Sequence, residues 1–367
     1  MTVVSDLSTA KYGLGVVASV ALLVACNAGV QPALGTSSVA WSGDQLGSKA
    51  LPPSLALRLT NPAGFAPPTF FHPGRRKSWL APEAKGQALL YTSATADGVV
   101  EVYLLKKETF VGELGSSVLR YPEGECAGQR GSVWIADYEE SIVVEYARDA
   151  ASPTKILNDP KPYTWGCSVD PATGDVAVAN FYSGGSGGGS VVIFTKGSGS
   201  GTIYELSSYY VWAPAYDNKG NLFVEVDSYS AGPGLLELPK GGKSFMTISL
   251  PVKIGFPAGA NWDGKYVVVN DQNYDGLDEQ AADLLSISGS QATLKRQVVY
   301  TDTCNSTYAQ VTQPAIYKGQ YIGGNIYCYP ESEFRIDIWS YATGGNPLSY
   351  INGDKYIDDS FGQTVSE

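Results

Sequence analysis

Beyond residue 77 short apolar runs alternate with polar turns, and one run recurs in a constant frame. It reads LLYTS at 89–93, VWIAD at 133–137, VAVAN at 176–180, LFVEVD at 222–227, YVVVN at 266–270 and YIGGN at 321–325. The runs end on Ser93, Asp137, Asn180, Asp227, Asn270 and Asn325, spaced by 44, 43, 47, 43 and 55 residues. Such short runs, rich in Val, Leu, Ile and Tyr and bounded by turn residues, read as strands. No stretch of this region holds a 3.6-residue apolar period long enough for a helix.

Each main run is followed by a second β-rich run, as in VVEVYL at 99–104 and IVVEYA at 142–147, and then by a third, as in FVGEL at 110–114 and IYEL at 203–206. A shorter stretch precedes it, as in Gly166-Cys167-Ser168-Val169, with PATGD at 171–175 or DNKGN at 217–221 as the turn. Four strands per repeat, six times over, predict an all-β, six-bladed β-propeller of four-stranded antiparallel blades over residues 78–367. One such sheet cannot bury both faces alone, so each must pack on its neighbours until the ring closes. The terminal FGQTVS at 361–366 resembles the stretch that opens other repeats and is expected to pair into blade one. Ser78–Pro82 is a second candidate for that inner position.

The first 77 residues read differently. Residues 13–25, GLGVVASVALLVA, follow Lys11 and are too short to span a bilayer of about 30 Å, but suit the apolar core of a secretory signal. The run ends Leu23-Val24-Ala25-Cys26, which resembles a bacterial lipobox. This predicts removal of residues 1–25, lipidation of Cys26, and an exported protein anchored at the bacterial cell envelope, on the outer membrane or cell surface. Residues 26–77, rich in Gly, Pro, Ser and Ala, would form the tether. Lipidation of Cys26 leaves Cys126, Cys167, Cys304 and Cys328, an even number suited to an oxidising compartment. Cys126 and Cys167 lie 11 and 13 residues before the aligned ends Asp137 and Asn180, so neighbouring inner strands should bring them together. Cys304 and Cys328 flank the main strand of blade six and form the second expected pair.

Composition removes several functions. A net charge of −11 disfavours nucleic acid as a partner, because phosphate attachment needs a basic face. The single histidine, His72, excludes mechanisms that need two. No GxSxG occurs. The glycine run at 184–189 lacks the lysine and helix of a phosphate cradle and reads as a hairpin loop.

WLAPEAKGQALLY, GCSVDPATGDVAVAN, YDNKGNLFVE and FGQTVS resemble uncharacterised exported bacterial six-bladed β-propeller lipoproteins, similar at a distance to NHL-repeat and gluconolactonase-like propellers. The latter hold a divalent metal at one rim with Glu, Asn and Asp. By resemblance, Asp137, Asn180, Asp227, Asn270 and Asn325 are candidate ligands for Ca2+ or another divalent cation, with Glu123 or Glu125 best placed to join them. The competing reading is that Asn and Asp end strands and hydrogen-bond their own turns. Asp271, Asn273 and Asp275, in DQNYDG, match the first half of a calcium loop, although its closing glutamate is replaced by Ala282. Tyrosines and a tryptophan gather in blades four and six, including Tyr209, Tyr210, Trp212, Tyr317 and Tyr321. Two functions stand. One is a monomeric, non-catalytic module that binds a protein, glycan or cell-wall ligand on a propeller rim and meets the membrane only through its lipid. The other is a metal-dependent lactonase-like hydrolase with its ion in the central channel.

Overall fold

Strands buried on both faces must be sandwiched, and here the main run of every repeat lies between two neighbouring sheets. The computed structural model describes residues 78–115, 118–182, 188–228, 230–274, 279–301, 311–325, 335–352 and 360–367. In chain order the strands are β1 (Trp79–Leu80), β2 (Leu89–Ala94), β3 (Val99–Leu104) and β4 (Thr109–Leu114), then β5 (Pro122–Ala127), β6 (Val133–Asp137), β7 (Ile142–Tyr146) and β8 (Pro153–Asn158). Blade three is β9 (Thr164–Val169), β10 (Val176–Asn180), β11 (Gly189–Phe194) and β12 (Thr202–Leu206), and blade four is β13 (Tyr209–Tyr216), β14 (Leu222–Ser228), β15 (Gly232–Leu238) and β16 (Met246–Ile248). Blade five is β17 (Pro257–Trp262), β18 (Val267–Tyr274), β19 (Glu279–Ser288) and β20 (Gln291–Tyr300), and blade six is β21 (Ala315–Tyr317), β22 (Gln320–Asn325), β23 (Arg335–Ser340) and β24 (Ser349–Asn352). The chain closes with β25 (Gln363–Ser366). All pairings within the blades are antiparallel, as the repeat predicts.

The turns form for the reasons their residues suggest. Asp170 accepts hydrogen bonds from the Ala172 backbone N–H and the Thr173 hydroxyl, and Gly174 takes the positive φ of 77° that closes the β9–β10 hairpin. Asp217 does the same work at β13–β14, accepting from Lys219 N–H, Asn221 N–H and Asn221 Nδ2. Between each pair of neighbouring blades lies an apolar cluster. Leu89, Val102 and Ile135 fill the first interface, and Leu90, Ile322 and Ile336 fill the last.

That last interface exists because β25 supplies the inner strand of blade one, with Thr92 opposite Gln363 and Leu89 opposite Ser366. The Ser93 hydroxyl accepts hydrogen bonds from the backbone N–H groups of Phe361 and Gly362, fixing the incoming chain. Ser78–Pro82 does not take the inner place. β1 instead adds to the outer edge of β4, with Leu80 opposite Gly112. Gly112 permits this, because a Cβ there would lie 2.2 Å from the Trp79 carbonyl oxygen.

The disulfide Cys126–Cys167 joins the inner strands of blades two and three, with Cα atoms 5.6 Å apart. Residues 1–77, which hold Cys26, and also Cys304 and Cys328, lie outside the described residues. With its cysteines 41 positions apart, the disulfide is worth about 4 kcal/mol in the chain-entropy treatment. Phe361 is completely buried. Phe361→Ala is expected to cost about 3–5 kcal/mol by denaturant titration, and deletion of residues 360–367 to lower the melting temperature further by exposing two sheet edges. An unchanged midpoint in the deletion would show that the ring does not depend on β25.

Candidate functional site

The candidate site is the end of the ring where the second strand of each blade finishes and the inner strands begin. Two of the strand-end carboxylates gather backbone donors. Asp137 accepts from Arg120 N–H at 2.6 Å, Tyr121 N–H at 2.9 Å and Glu140 N–H at 2.9 Å. Asp271 accepts from Gly255 N–H at 2.6 Å and Phe256 N–H at 2.9 Å. The two are structural equivalents, since Asp137 stands opposite Pro122 and Asp271 opposite Pro257. The sequence alignment, which matched Asp137 with Asn270, is therefore one residue short in blade five. β18 runs on to Tyr274, past the level at which β6 ends at Asp137, so the end of the apolar run does not mark the same level in the two blades. Asn270 lies on the other face. Its Nδ2 donates to Asn261 Oδ1, and its Oδ1 accepts from the Tyr321 hydroxyl.

Asn180 works through a second side chain. Its Nδ2 donates to Asp159 Oδ2 at 2.8 Å, and its Oδ1 accepts from the Ser190 hydroxyl. Asp159 in turn accepts from Lys161 N–H, on the segment leading into β9. Asp227 is the exception. It is buried with no hydrogen-bond partner among the described residues, and burial alone pushes its carboxyl up to about 7. The side chains of Asn325 and Asn273, and Asp275 as a whole, lie outside the described residues. Among the described residues no three His, Cys, Asp or Glu side chains come together in metal-ligating geometry.

Glu123 and Glu125 sit on β5 and are buried. Both carboxyl oxygens of Glu125 lack hydrogen-bond partners, and its acidity is pushed well below that of a normal carboxylic acid, first by burial and then by Glu123. Its surroundings are tight: a Cβ on Gly362 would lie 2.4 Å from Glu125 Oε2. Glu225, also wholly buried, is differently treated. It accepts from Ala258, Gly259 and Asn270 N–H groups, which partly offset the burial that pushes it up to about 8.

The axis is packed by backbone. Gln313 reaches from the start of blade six and donates through Nε2 to the carbonyls of Glu123 in blade two and Trp165 in blade three. Its own N–H donates to the Ala258 carbonyl, and its carbonyl accepts from Gln363 N–H. A Cβ on Gly124 would stand 2.6 Å from the Trp165 carbonyl oxygen and one on Gly166 2.8 Å from Ala213 Cβ, so both positions favour glycine. Above this floor lies a collar of aromatic rings: Tyr121, Trp165, Phe256 and Phe361, each within two residues of the start of an inner strand, and Trp212, the fourth residue of β13. Trp165 contacts Trp212 edge-on at 5.6 Å and Phe361 at 5.7 Å, and Trp212 contacts Phe256 at 5.3 Å. Half-buried Tyr163 and Tyr182 flank the collar. The sequence reading found Trp212 and Tyr210 but missed the rest. The signal was present as an aromatic close before a glycine in YPEG, WG, FPAG and FG, in four of the six repeats.

Comparison with known protein families finds no match, and no curated protein is similar in sequence. Among solved structures, the chain resembles one in the crystal structure of the nidogen/laminin complex, with a TM-score of 0.57 at 12% identity, over 76% of this chain and 98% of that one. It also resembles a protein of unknown function from Bacteroides caccae, with a TM-score of 0.53 at 11% identity, over 77% of this chain and 100% of that one. At these identities the likeness concerns the fold.

Asp227 gives a pH prediction with a definite sign. Its folded-state value of about 7 lies above the unfolded value of about 3.9. The stability it contributes is complete below about pH 4 and is lost as pH rises through 7. Asp227→Asn removes the charge without removing a hydrogen bond. It is expected to stabilise the protein at pH 8 by on the order of 1–3 kcal/mol and to change little at pH 4. Denaturant midpoints at both pH values test this, and equal effects at the two would contradict it.

Proposed function

We propose that the chain is a non-catalytic interaction module, exported and held at the bacterial cell envelope by a lipid on Cys26. The observation that carries the first part is the packed axis. A channel hydrolase needs a chamber in which side chains converge on a substrate. Here Gln313, Gly124 and Gly166 fill that place with backbone and one amide. Asp137 and Asp271, candidate ligands on sequence grounds, direct their oxygens to backbone N–H groups of their own blades. What the ring offers is its outer surfaces, and a propeller is a common platform for protein partners. The collar end supports a rim site, with Tyr163 and Tyr182 giving amphipathic contact area around a rigid aromatic floor. The second part rests on the apolar run at 13–25 and the Leu23-Val24-Ala25-Cys26 sequence.

Two measurements test these parts separately. Cells expressing the full chain should incorporate labelled palmitate into it, and Cys26→Ser should abolish the label and release the protein from the membrane fraction. A Cys26→Ser form that stays in membranes would refute the anchor. The purified protein should hydrolyse no γ- or δ-lactone with added Ca2+, Mg2+, Mn2+ or Zn2+. Metal-stimulated turnover that disappears in Asn180→Ala or Asp227→Ala would overturn the non-catalytic reading.

A further inference from the structure

Blades four and five part at the end of the ring opposite the collar, leaving a groove of about 430 Å3. That is within the range of about 300–1,000 Å3 typical of small-molecule sites. Strand register builds its walls. Phe223, Glu237 and Met246 form one row across β14, β15 and β16. Trp262, Val267 and Leu285 form the facing row across β17, β18 and β19. The Trp262 indole N–H donates to Asn218 Oδ1 at 3.1 Å, on the hairpin of the neighbouring blade. The half-buried ring is thus held in one orientation by a partner outside its own sheet.

Glu237 supplies the chemistry. It is only 8% exposed and lines the groove, yet among the described residues it has neither a hydrogen bond nor an ion pair. Burial, and then the nearby Asp217, raise its pKa. Asp217 itself is engaged with its own turn, so Glu237 is the carboxylate left to accept a ligand's donors. Lys219 and Lys265 stand on the exposed rim.

This charge arrangement selects the ligand class. A cation drawn to Glu237 meets two lysines, and an anion drawn to the lysines meets two carboxylates. A neutral molecule with one apolar face and a hydroxylated edge conflicts with neither. A pyranose has that form. Its C–H face can lie on the Trp262 indole, its hydroxyls can donate to Glu237, and the lysine ammonium groups can donate to its oxygens. We propose that this groove binds a neutral saccharide of one or two rings. The groove is separate from the collar and stands whether or not the interaction reading above holds.

The test uses the full chain with glucose, galactose, N-acetylglucosamine, xylose, maltose and cellobiose as probes, read by saturation-transfer NMR and calorimetry. At least one should show transfer to its ring protons, with a dissociation constant on the order of 1 mM. Trp262→Ala should abolish the transfer, and Glu237→Ala should weaken binding roughly tenfold, the weight of one hydrogen bond to a charged group. Trp79→Ala, on blade one, should bind as the parent does. Because Trp262→Ala removes a packed ring, Trp262→Phe serves as a second variant, expected to retain the fold and bind more weakly. No transfer from any of the six sugars would overturn the proposal. So would parent-like affinity in folded Trp262→Ala, or Trp262-dependent binding of choline or succinate in place of the sugars.

Discussion

The ends of the described chain meet in one sheet, and that meeting is the constraint on which the ring depends. Blade one lacks an inner strand until β25 arrives. Only then do Leu90 and Val365 complete an interface with Ile322 and Ile336 of blade six. The contact joins residues more than 260 positions apart, as in the hydrogen bonds from Phe361 and Gly362 to Ser93. Loop-closure entropy opposes such a contact but grows only slowly with length. The buried Phe361 and the strand pairing are what outweigh it.

Closing the ring brings six inner strands toward one axis, and there is little room on it for side chains. Gly124, Gly166 and Gly362 let backbones approach where any Cβ would collide. Gln313 then satisfies two carbonyls that the strands themselves leave on the axis. Buried carbonyls without partners are costly, so one amide reaching across the centre stabilises several blades together. The disulfide between Cys126 and Cys167 lies on the same two inner strands as Gly124 and Gly166. A close backbone approach and the covalent link are thus found at one blade junction.

The strand set was legible because it depends on local pattern. Runs such as VAVAN are buried on both faces and carry no polar residue until their end, and turns such as DNKGN act through their own side chains. The Cys126–Cys167 pairing was legible because both residues have a place in the repeat. The site was less so. An apolar run does not show how far its strand continues, and β18 continues to Tyr274 where β6 ends at Asp137, which is why Asn270 stood in the alignment where Asp271 stands in the fold. Gln313 was invisible because blade six opens with VTQPA, which lacks the aromatic of the other repeats. A side chain that bridges blades 148 and 190 residues away leaves no local signature. The groove was hidden for the same reason, since Trp262 and Glu237 face each other only after two blades pack.

A packed axis also decides where function can reside. Residues on the inner strands are held by glycine contacts and interblade bonds, so a change there is felt as lost stability. The ends of the ring are freer: exposed hairpin residues such as Lys219 and Lys265 can change with little effect on the sheets. Glu237 lies between these regimes. It occupies a strand position opposite Phe223 and Met246, where an apolar residue would pack well. A carboxylate in that row destabilises the blade by desolvation, and no hydrogen bond from the described residues offsets the cost. A ligand bearing donors would offset it on binding.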